Sequence, residues 1–343
     1  MRPVGRGALT KLVRKAADVE GVADNRVRTW VGASALFQVM SGAVRDRALP
    51  RYLVKGGFAL ELRFLNRART SQDIDIVLPV QQDAIVEALA RAIDGREWDG
   101  FSFKLKERSK EREYVWQVGI QVLYAGGPWC SLTAELASGS ADEPEIVEAY
   151  DLRPFGLSEA EPVPCLSRFE QIAQKLHAAS SASSGMRYRD LVDIFLLDEL
   201  LERDDARLLA VVERTFERRE EHAWPIRSFY NRRWIAPLND LLRQLDLQMT
   251  AHDLFRAVNQ LVLRLLGVPM NPNYEYVFMV LHANDQAPHN ILQNALREGE
   301  GLKVFRRMTE EEGYRLAHIF PFPGSATERA VLTVLEREKQ EQA

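Results

Sequence analysis

The sequence predicts a mixed α/β (α+β) protein with a sheet-containing core, a helical second lobe and a small C-terminal α+β appendage. Three observations carry this expectation. Residues 51–80, RYLVKGGFALELRFLNRARTSQDIDIVLPV, read as strand, glycine turn, helix, basic loop and strand. Residues 101–124 alternate apolar and polar positions, as half-buried antiparallel strands do. From about residue 156 to 267 the apolar period becomes helical. The expected divisions are N-terminal helices over 1–48, a core over 49–155, the helical lobe over 156–267 and the appendage over 268–343.

The N-terminal 48 residues carry two apolar helical stripes, Leu9, Leu12, Val13 and Ala16, then Ala33, Leu36, Phe37 and Met40. Arg2, Arg6, Lys11, Arg14 and Lys15 precede the first acid, Asp18, a bias suited to an RNA backbone or to a solvated helix face. Next comes the short apolar run Tyr52-Leu53-Val54, stopped at Gly56-Gly57, with Phe58, Ala59, Leu62 and Leu65 at helical spacing beyond it. A glycine turn that feeds a helix N-terminus admits an anion close to the backbone, where free N–H groups and the helix dipole favour it. Lys55 adds a cation beside that turn, and Arg67, Arg69, Thr70 and Ser71 stand within reach of a phosphate or ribose.

In Asp73-Ile74-Asp75-Ile76-Val77-Leu78 a period of two sends Ile74 and Ile76 to the core and puts Asp73 and Asp75 on the opposite face. Two carboxylates sharing one spot repel unless a hard cation lies between them, and Mg²⁺ bound jointly with phosphate oxygens relieves that repulsion. A bare D-x-D, taken alone, is more often a pair of solvated carboxylates, and a lone Gly-Gly is weaker still. Neither G-x-x-x-x-G-K-[ST] nor a post-strand G-x-G-x-x-G occurs.

Further along, 84–93 has helical spacing, Gly126-Gly127-Pro128 is a turn signal, and Ser131 to Leu136 is the next strand, carrying Glu135. Pro154, Pro162 and Pro164 mark a boundary. Ser167-Arg168-Phe169-Glu170 is a capping box opening a helix with Lys175 on it, and Arg187-Tyr188-Arg189-Asp190 opens another, with Asp190 and Asp193 one turn apart. Lys175 also fits a surface lysine, and Arg-Asp-x-x-Asp a structural ion pair. Arg214, Arg218, Arg219, Arg227, Arg232 and Arg233 lie among Trp224, Tyr230 and Trp234, as in a groove that holds a nucleic-acid backbone and stacks a base, or as in a salt-bridged face diluted by Glu213, Glu217, Glu220 and Glu221. Residues 267–272 read as a linker, 274–281 as a strand, 290–297 as a helix, 302–306 as a strand and 326–337 as a final helix.

Composition bounds the function. The chain has 343 residues, 46% hydrophobic and 27% charged, as in ordinary globular proteins, which excludes disordered and fibrous classes. A net charge of -4 argues against non-specific coating of nucleic acid. Cys130 and Cys165 stand without C-x-x-C or clustered histidines, which points to a reducing compartment such as the cytoplasm and to no structural zinc. No apolar run approaches a membrane span, and no signal-type core opens the chain.

The order strand, Gly-Gly, helix, then Arg-x-Ser-x-Asp-x-Asp resembles the nucleotidyltransferase fold of the DNA-polymerase-β-like superfamily. It is most similar to the AbiEii/AbiGii (MenT-like) toxin family, whose members show Lys-Gly-Gly followed by Thr/Ser-x-Asp-x-Asp. Lys175, Arg189, Asp190 and Asp193 match, in order, the family's later helix lysine and Arg-Asp-x-x-Asp. The resemblance spans roughly residues 50–200. It implies a mixed-sheet nucleotidyltransferase core in which Asp73 and Asp75 hold Mg²⁺, as two ions, with Glu135 as third carboxylate and Asp142 as its alternative. It implies nucleoside triphosphate (NTP) contacts from Lys55, Gly56, Gly57, Arg69, Ser71, Lys175 and Arg187, in a cleft between core and helical lobe. Asp190 and Asp193 would activate the attacking hydroxyl or orient Lys175 and Arg187. The implied reaction is attack of an acceptor hydroxyl on the α-phosphorus, the acceptor being a tRNA 3′ end and a cognate antitoxin the partner. Transfer to a protein hydroxyl or an antibiotic, and a degenerate module that binds nucleotide or RNA without turnover, are the rival readings.

Overall fold

The computed structural model describes residues 2–71, 73–112, 115–139, 144–181, 187–202, 204–222, 224, 229, 231–266, 292, 295, 300–311 and 326–341. The chain divides into two compact units, Met1–Gln171 and Ile172–Ala343.

The first unit is built on one eight-stranded mixed sheet. Its strands are β1 (Leu53–Lys55), β2 (Asp73–Leu78), β3 (Glu97–Trp98), β4 (Phe101–Arg112), β5 (Val115–Tyr124), β6 (Gly127–Ser138), β7 (Pro144–Val147) and β8 (Val163–Leu166). They are ordered β3-β4-β5-β6-β2-β1-β8-β7. The β3 to β6 stretch is an antiparallel meander, β6 and β2 run parallel, β2 and β1 antiparallel, and β1 and β8 parallel. β2 therefore lies inside the sheet, paired on both sides. β8 belongs to this sheet although it follows residue 155, and α5 (Arg168–Ser180) starts directly after it.

Helices α1 (Arg6–Glu20), α2 (Asp24–Arg45), α3 (Gly56–Phe64) and α4 (Ile85–Ile93) complete this unit. The expected stripes are buried at Leu9 and Val13 on α1 and at Ala33, Leu36, Phe37 and Met40 on α2. α2 is buried well beyond one stripe, from Val31 continuously to Met40, as fits a helix enclosed by the core. Phe37 packs between Tyr52 and Phe58, with ring centroids 6.2 and 5.6 Å away, inside the typical range for aromatic pairs.

Three local expectations are corrected. The turn before β6 is Ala125-Gly126, with φ of 48° and 78°, so Gly127 and Pro128 already lie in the strand; a two-residue hairpin turn needs positive φ at both positions. Leu65 does not continue the stripe of α3: the helix ends at Phe64, and Leu65 has φ 51° and is 41% exposed. Leu302 to Arg306 is helix, not strand. It forms α10 (Gly301–Arg306), and Leu302 and Met308 are buried in a small cluster with Leu292 and Leu335. A five-residue apolar-rich run is too short for periodicity to separate the two states.

The second unit contains α6 (Tyr188–Glu199), α7 (Asp205–Arg219), α8 (Ile235–Gln244), α9 (Ala251–Leu265), α10 and α11 (Ala326–Glu341). The Arg264 guanidinium on α9 bonds Asp198 at 2.7 Å and Asp205 at 3.0 Å, joining the end of α6 to the start of α7. Thr250 and Asp253 form a reciprocal capping box at the start of α9. The expected strand at 274–281 and linker at 267–272 lie outside the described residues; of the expected helix at 290–297, Leu292 and Ala295 are described and helical. Among the described residues no helix is long and apolar enough to cross a membrane.

Candidate active site

The site in the first unit follows from strand register. Lys55 pairs with Asp75, and Asp75 pairs with Glu135, so the three residues form one row across β1, β2 and β6. Gln117 on β5 continues that row. Directly paired residues point to the same face of a sheet, and alternation adds Asp73, two positions along, to the same face as Asp75. Burial agrees: Asp73, Asp75 and Glu135 are half-buried, whereas Ile74, Ile76, Ala134 and Leu136 are buried on the other face. Three carboxylates and one ammonium thus share a patch spanning three strands, about 4.8 Å apart from strand to strand.

The two glycines fit against this patch for a reason the sequence did not supply. Gly56 has φ 64°, and a Cβ built on it would lie 1.9 Å from Asp75 Oδ2. A Cβ on Gly57 would lie 2.6 Å from Ser71 Oγ and 3.4 Å from Arg69 Nη1. The space freed by the missing side chains is therefore filled from within the chain: Asp75 closes over Gly56 and Ser71 over Gly57, with Arg69 in contact beside it. The first turn of α3, the second carboxylate of D-x-D and the basic loop converge on one point. Ser71 donates its hydroxyl to the Asp73 carbonyl at 2.8 Å, which fastens the loop to the start of β2.

Glu61, which sequence reasoning passed over, holds that loop from below. It is 2% exposed and accepts from Trp30 Nε1 at 2.6 Å, Arg26 Nε at 3.1 Å and the Ser71 backbone N–H at 2.5 Å. It stands between Leu60 and Leu62 in a helix buried on nearly every side. A lone acid within an apolar run was the available signal. The donor set suits a hard cation, since oxygen-only ligands on adjacent strands are what Mg²⁺ takes together with phosphate oxygens. Asp142 lies outside the described residues.

In the second unit the later motif assembles separately. Lys175 Nζ on α5 bonds Asp190 Oδ1 at 3.0 Å and Asp193 Oδ2 at 2.6 Å, both on α6, and Arg187 Nη1 approaches Asp190 Oδ2 at 3.5 Å. Lys175, Asp190 and Asp193 are all buried, so Lys175 is not a surface lysine. At the start of α5, Glu170 N–H donates to Ser167 Oγ at 3.2 Å, one half of the expected capping box, and the Ser167 hydroxyl donates to Glu170 Oε2 at 3.3 Å.

Histidines far apart in sequence also meet here: His177, His222 and Glu221 place ligand atoms within 4.8 Å of one another. Arg219 Nη1 lies 3.3 Å from His177 Nδ1, a cation that opposes a metal ion at that spot. Burial first, and then the Arg219 charge, push the His177 pKa down to about 4.

Of the expected base-stacking residues, Trp234 is buried. Trp224 lines a pocket of about 430 Å³ together with Glu213, Glu217 and Glu220, whose charge repels a phosphodiester. Arg218, Arg232 and Arg233 are exposed, and Arg227 and Tyr230 lie outside the described residues.

The chain is similar to several known proteins. A family model described as "Nucleotidyl transferase AbiEii toxin, Type IV TA system" matches residues 38–271. The fold is similar to that of MenT4, a nucleotidyltransferase toxin from Mycobacterium tuberculosis H37Rv, at a TM-score of 0.52 and 17% identity, covering 86% of this chain and 99% of that one. A protein from H. pylori described as a nucleotidyltransferase matches over 67% of this chain and 91% of its own, at 15% identity and a TM-score of 0.36. ANT(2″)-Ia in complex with adenylyl-2″-tobramycin matches over 52% and 94%, at 17% identity and a TM-score of 0.30. No curated protein matches the chain.

Proposed function

Given that the chain belongs to the AbiEii nucleotidyl transferase toxin family, we propose that this nucleotidyltransferase moves a nucleoside monophosphate from an NTP to the 3′-terminal hydroxyl of a tRNA. The observation that carries the site is the row Lys55, Asp75 and Glu135 across three adjacent strands, with Asp73 on the same face. In this reading Asp73, Asp75 and Glu135 hold Mg²⁺, as two ions, beside the triphosphate. When bound, the metal supplies Lewis-acid polarisation of the α-phosphate and stabilises charge on the attacking and leaving oxygens.

The chain's own groups do the rest. Lys55 and Arg69 bring positive charge to the phosphates, and the first turn of α3 directs its N–H groups and the positive end of its dipole at the same place. Ser71, tied to the Asp73 carbonyl, sets the height of the loop that carries Arg69. The acceptor oxygen attacks the α-phosphorus, the bond to the bridging oxygen breaks, pyrophosphate leaves, and the hydroxyl proton passes to solvent. Positioning and electrostatics account for such a transfer without a covalent enzyme intermediate. In the second unit, Asp190 and Asp193 orient Lys175. A cognate antitoxin is the expected protein partner.

The test incubates the protein with each labelled NTP, Mg²⁺ and total RNA, then separates RNA from protein. The reading expects label at the 3′ end of tRNA-sized RNA, lost on chelation and restored by Mg²⁺. Label on protein, or transfer that withstands chelation, would refute it.

A further inference from the structure

The loop between α3 and β2 carries Arg69 and Ser71 to the candidate site, and it is held in a conformation the chain does not adopt unaided. Leu65, where it begins, has φ 51° and ψ -121°, a region L residues rarely occupy. Arg26 on α2 donates to the Leu65 carbonyl at 3.1 Å and the Ala68 carbonyl at 2.5 Å. Arg26 is in turn held by Glu61, through Nε to Oε2 at 3.1 Å. The other Glu61 oxygen, Oε1, takes the Ser71 N–H at the far end of the loop. One buried carboxylate thus grips the loop at both ends, through Arg26 at its start and directly at Ser71.

We propose that Glu61 is a positioning residue for nucleotide binding, acting through Arg69 and Ser71; this rests on the nucleotide-site reading given above. Three donors converge on Glu61, and two of them, Arg26 and the Ser71 N–H, fix loop backbone. The loop in turn fits over Gly57, where Ser71 Oγ takes the place of a side chain and Arg69 Nη1 lies in contact beside it, 2.6 and 3.4 Å from where a Cβ would be. A shift at Ser71 is expected to move Arg69 with it, because the two stand two residues apart in one short loop and both lie against Gly57. A glutamine at position 61 keeps the volume but offers one acceptor oxygen, so its NH₂ group meets either the Ser71 N–H or the Arg26 and Trp30 donors, and one end of the grip is lost.

The experiment measures the dissociation constant of each NTP with Mg²⁺, together with the thermal midpoint, for wild type, Glu61→Gln, Arg69→Ala, the double variant and Trp30→Phe. Removing one charge-assisted hydrogen bond from Arg69 to a phosphate corresponds to roughly a 10-fold or greater fall in affinity. Glu61→Gln is expected to weaken NTP binding by about that factor in the wild-type background and by less than about twofold in the Arg69→Ala background, the non-additivity of residues acting through one another. Trp30→Phe removes a donor to Oε2 without touching the Ser71 bond, so it should lower the midpoint and spare affinity. Unchanged affinity in folded Glu61→Gln beside weakened binding in Arg69→Ala would overturn the inference alone. So would equal losses in both backgrounds, or a Trp30→Phe loss as large as that of Glu61→Gln, since either would mark a general effect of stability. Unchanged affinity in Arg69→Ala would overturn the nucleotide site itself.

Discussion

Replacing Gly56 by alanine tests the candidate site most sharply, because one methyl group acts on it in two ways. The φ of 64° lies in the left-handed region, which costs a residue with a Cβ about 1–2 kcal/mol. The added carbon would also lie 1.9 Å from Asp75 Oδ2, so that the carboxylate must retreat by about 1 Å to reach even the 3.0 Å limit of real Cβ contacts. A misplacement of about 1 Å in a reacting group can cost on the order of 10²-fold in rate. Gly56→Ala is therefore expected to fold, with its thermal midpoint lowered by a few degrees (~2–4 °C per kcal/mol for a protein of this size class), and to transfer labelled nucleotide at least about 100-fold more slowly in single turnover. Gly57→Ala keeps an ordinary φ and meets Ser71, Oγ at 2.6 Å and Cβ at 3.0 Å, and not a carboxylate of the acid row, so its loss should be smaller. A folded Gly56→Ala protein with wild-type turnover would refute the placement of Asp75 in the reaction.

Asp73→Ala and Asp75→Ala should each abolish transfer and any growth inhibition while circular dichroism and the cooperative melt persist, since both face away from the core; turnover in either folded variant would exclude that residue as a metal ligand. Lys175→Ala leaves the two buried carboxylates of Asp190 and Asp193 without their shared cation, and should cost about 3–5 kcal/mol in denaturant titration; a midpoint unchanged from wild type would show that the buried triad is not structural. His177 binds a proton in the unfolded chain near its ordinary value of 6.5 but only near 4 when folded. Its contribution to stability is thus complete above about pH 6.5 and is lost as pH falls toward 4. His177→Gln should flatten that part of the melting profile, and an identical profile in the variant would contradict the neutral buried imidazole. If the acceptor is tRNA, log affinity should fall against log salt with a slope near -0.7 to -0.9 per phosphate neutralised, and Arg232→Ala with Arg233→Ala should reduce that slope; an unchanged slope would send the search for the acceptor groove to other basic residues.

How much of this the sequence carried depends on the range of each interaction. The faces of β2 were legible because alternation is local: Asp73 and Asp75 on one side and Ile74 and Ile76 on the other need only a period of two. The row joining Asp75 to Lys55 and Glu135 was not, because register is set by pairing between segments far apart in the chain; Glu135 was reached by family resemblance, and the structure adds its register. Glu61 was passed over because nothing local shows that α3 is buried on nearly every side and that its acid points inward to donors from α2. The glycines were read as room for a phosphate, and the structure adds a second need for them, since Asp75 lies against Gly56 and Ser71 against Gly57. Leu302 to Arg306 was misread because the packing that decides its state, with Leu292 and Leu335, is non-local.

The sheet order also has a consequence in time. The three acids lie on β2 and β6, and β1, which carries Lys55, gains its second neighbour only when Val54 meets Cys165 on β8. A nascent chain that has not yet delivered Glu135 lacks an acid, and one that has not delivered Leu166 leaves the sheet open on the Lys55 side. Pairing across such long separations is also intrinsically slow. The candidate site thus draws on segments spread over most of the first unit, and a chain cut between β2 and β6 would carry the D-x-D strand without Glu135 beside it.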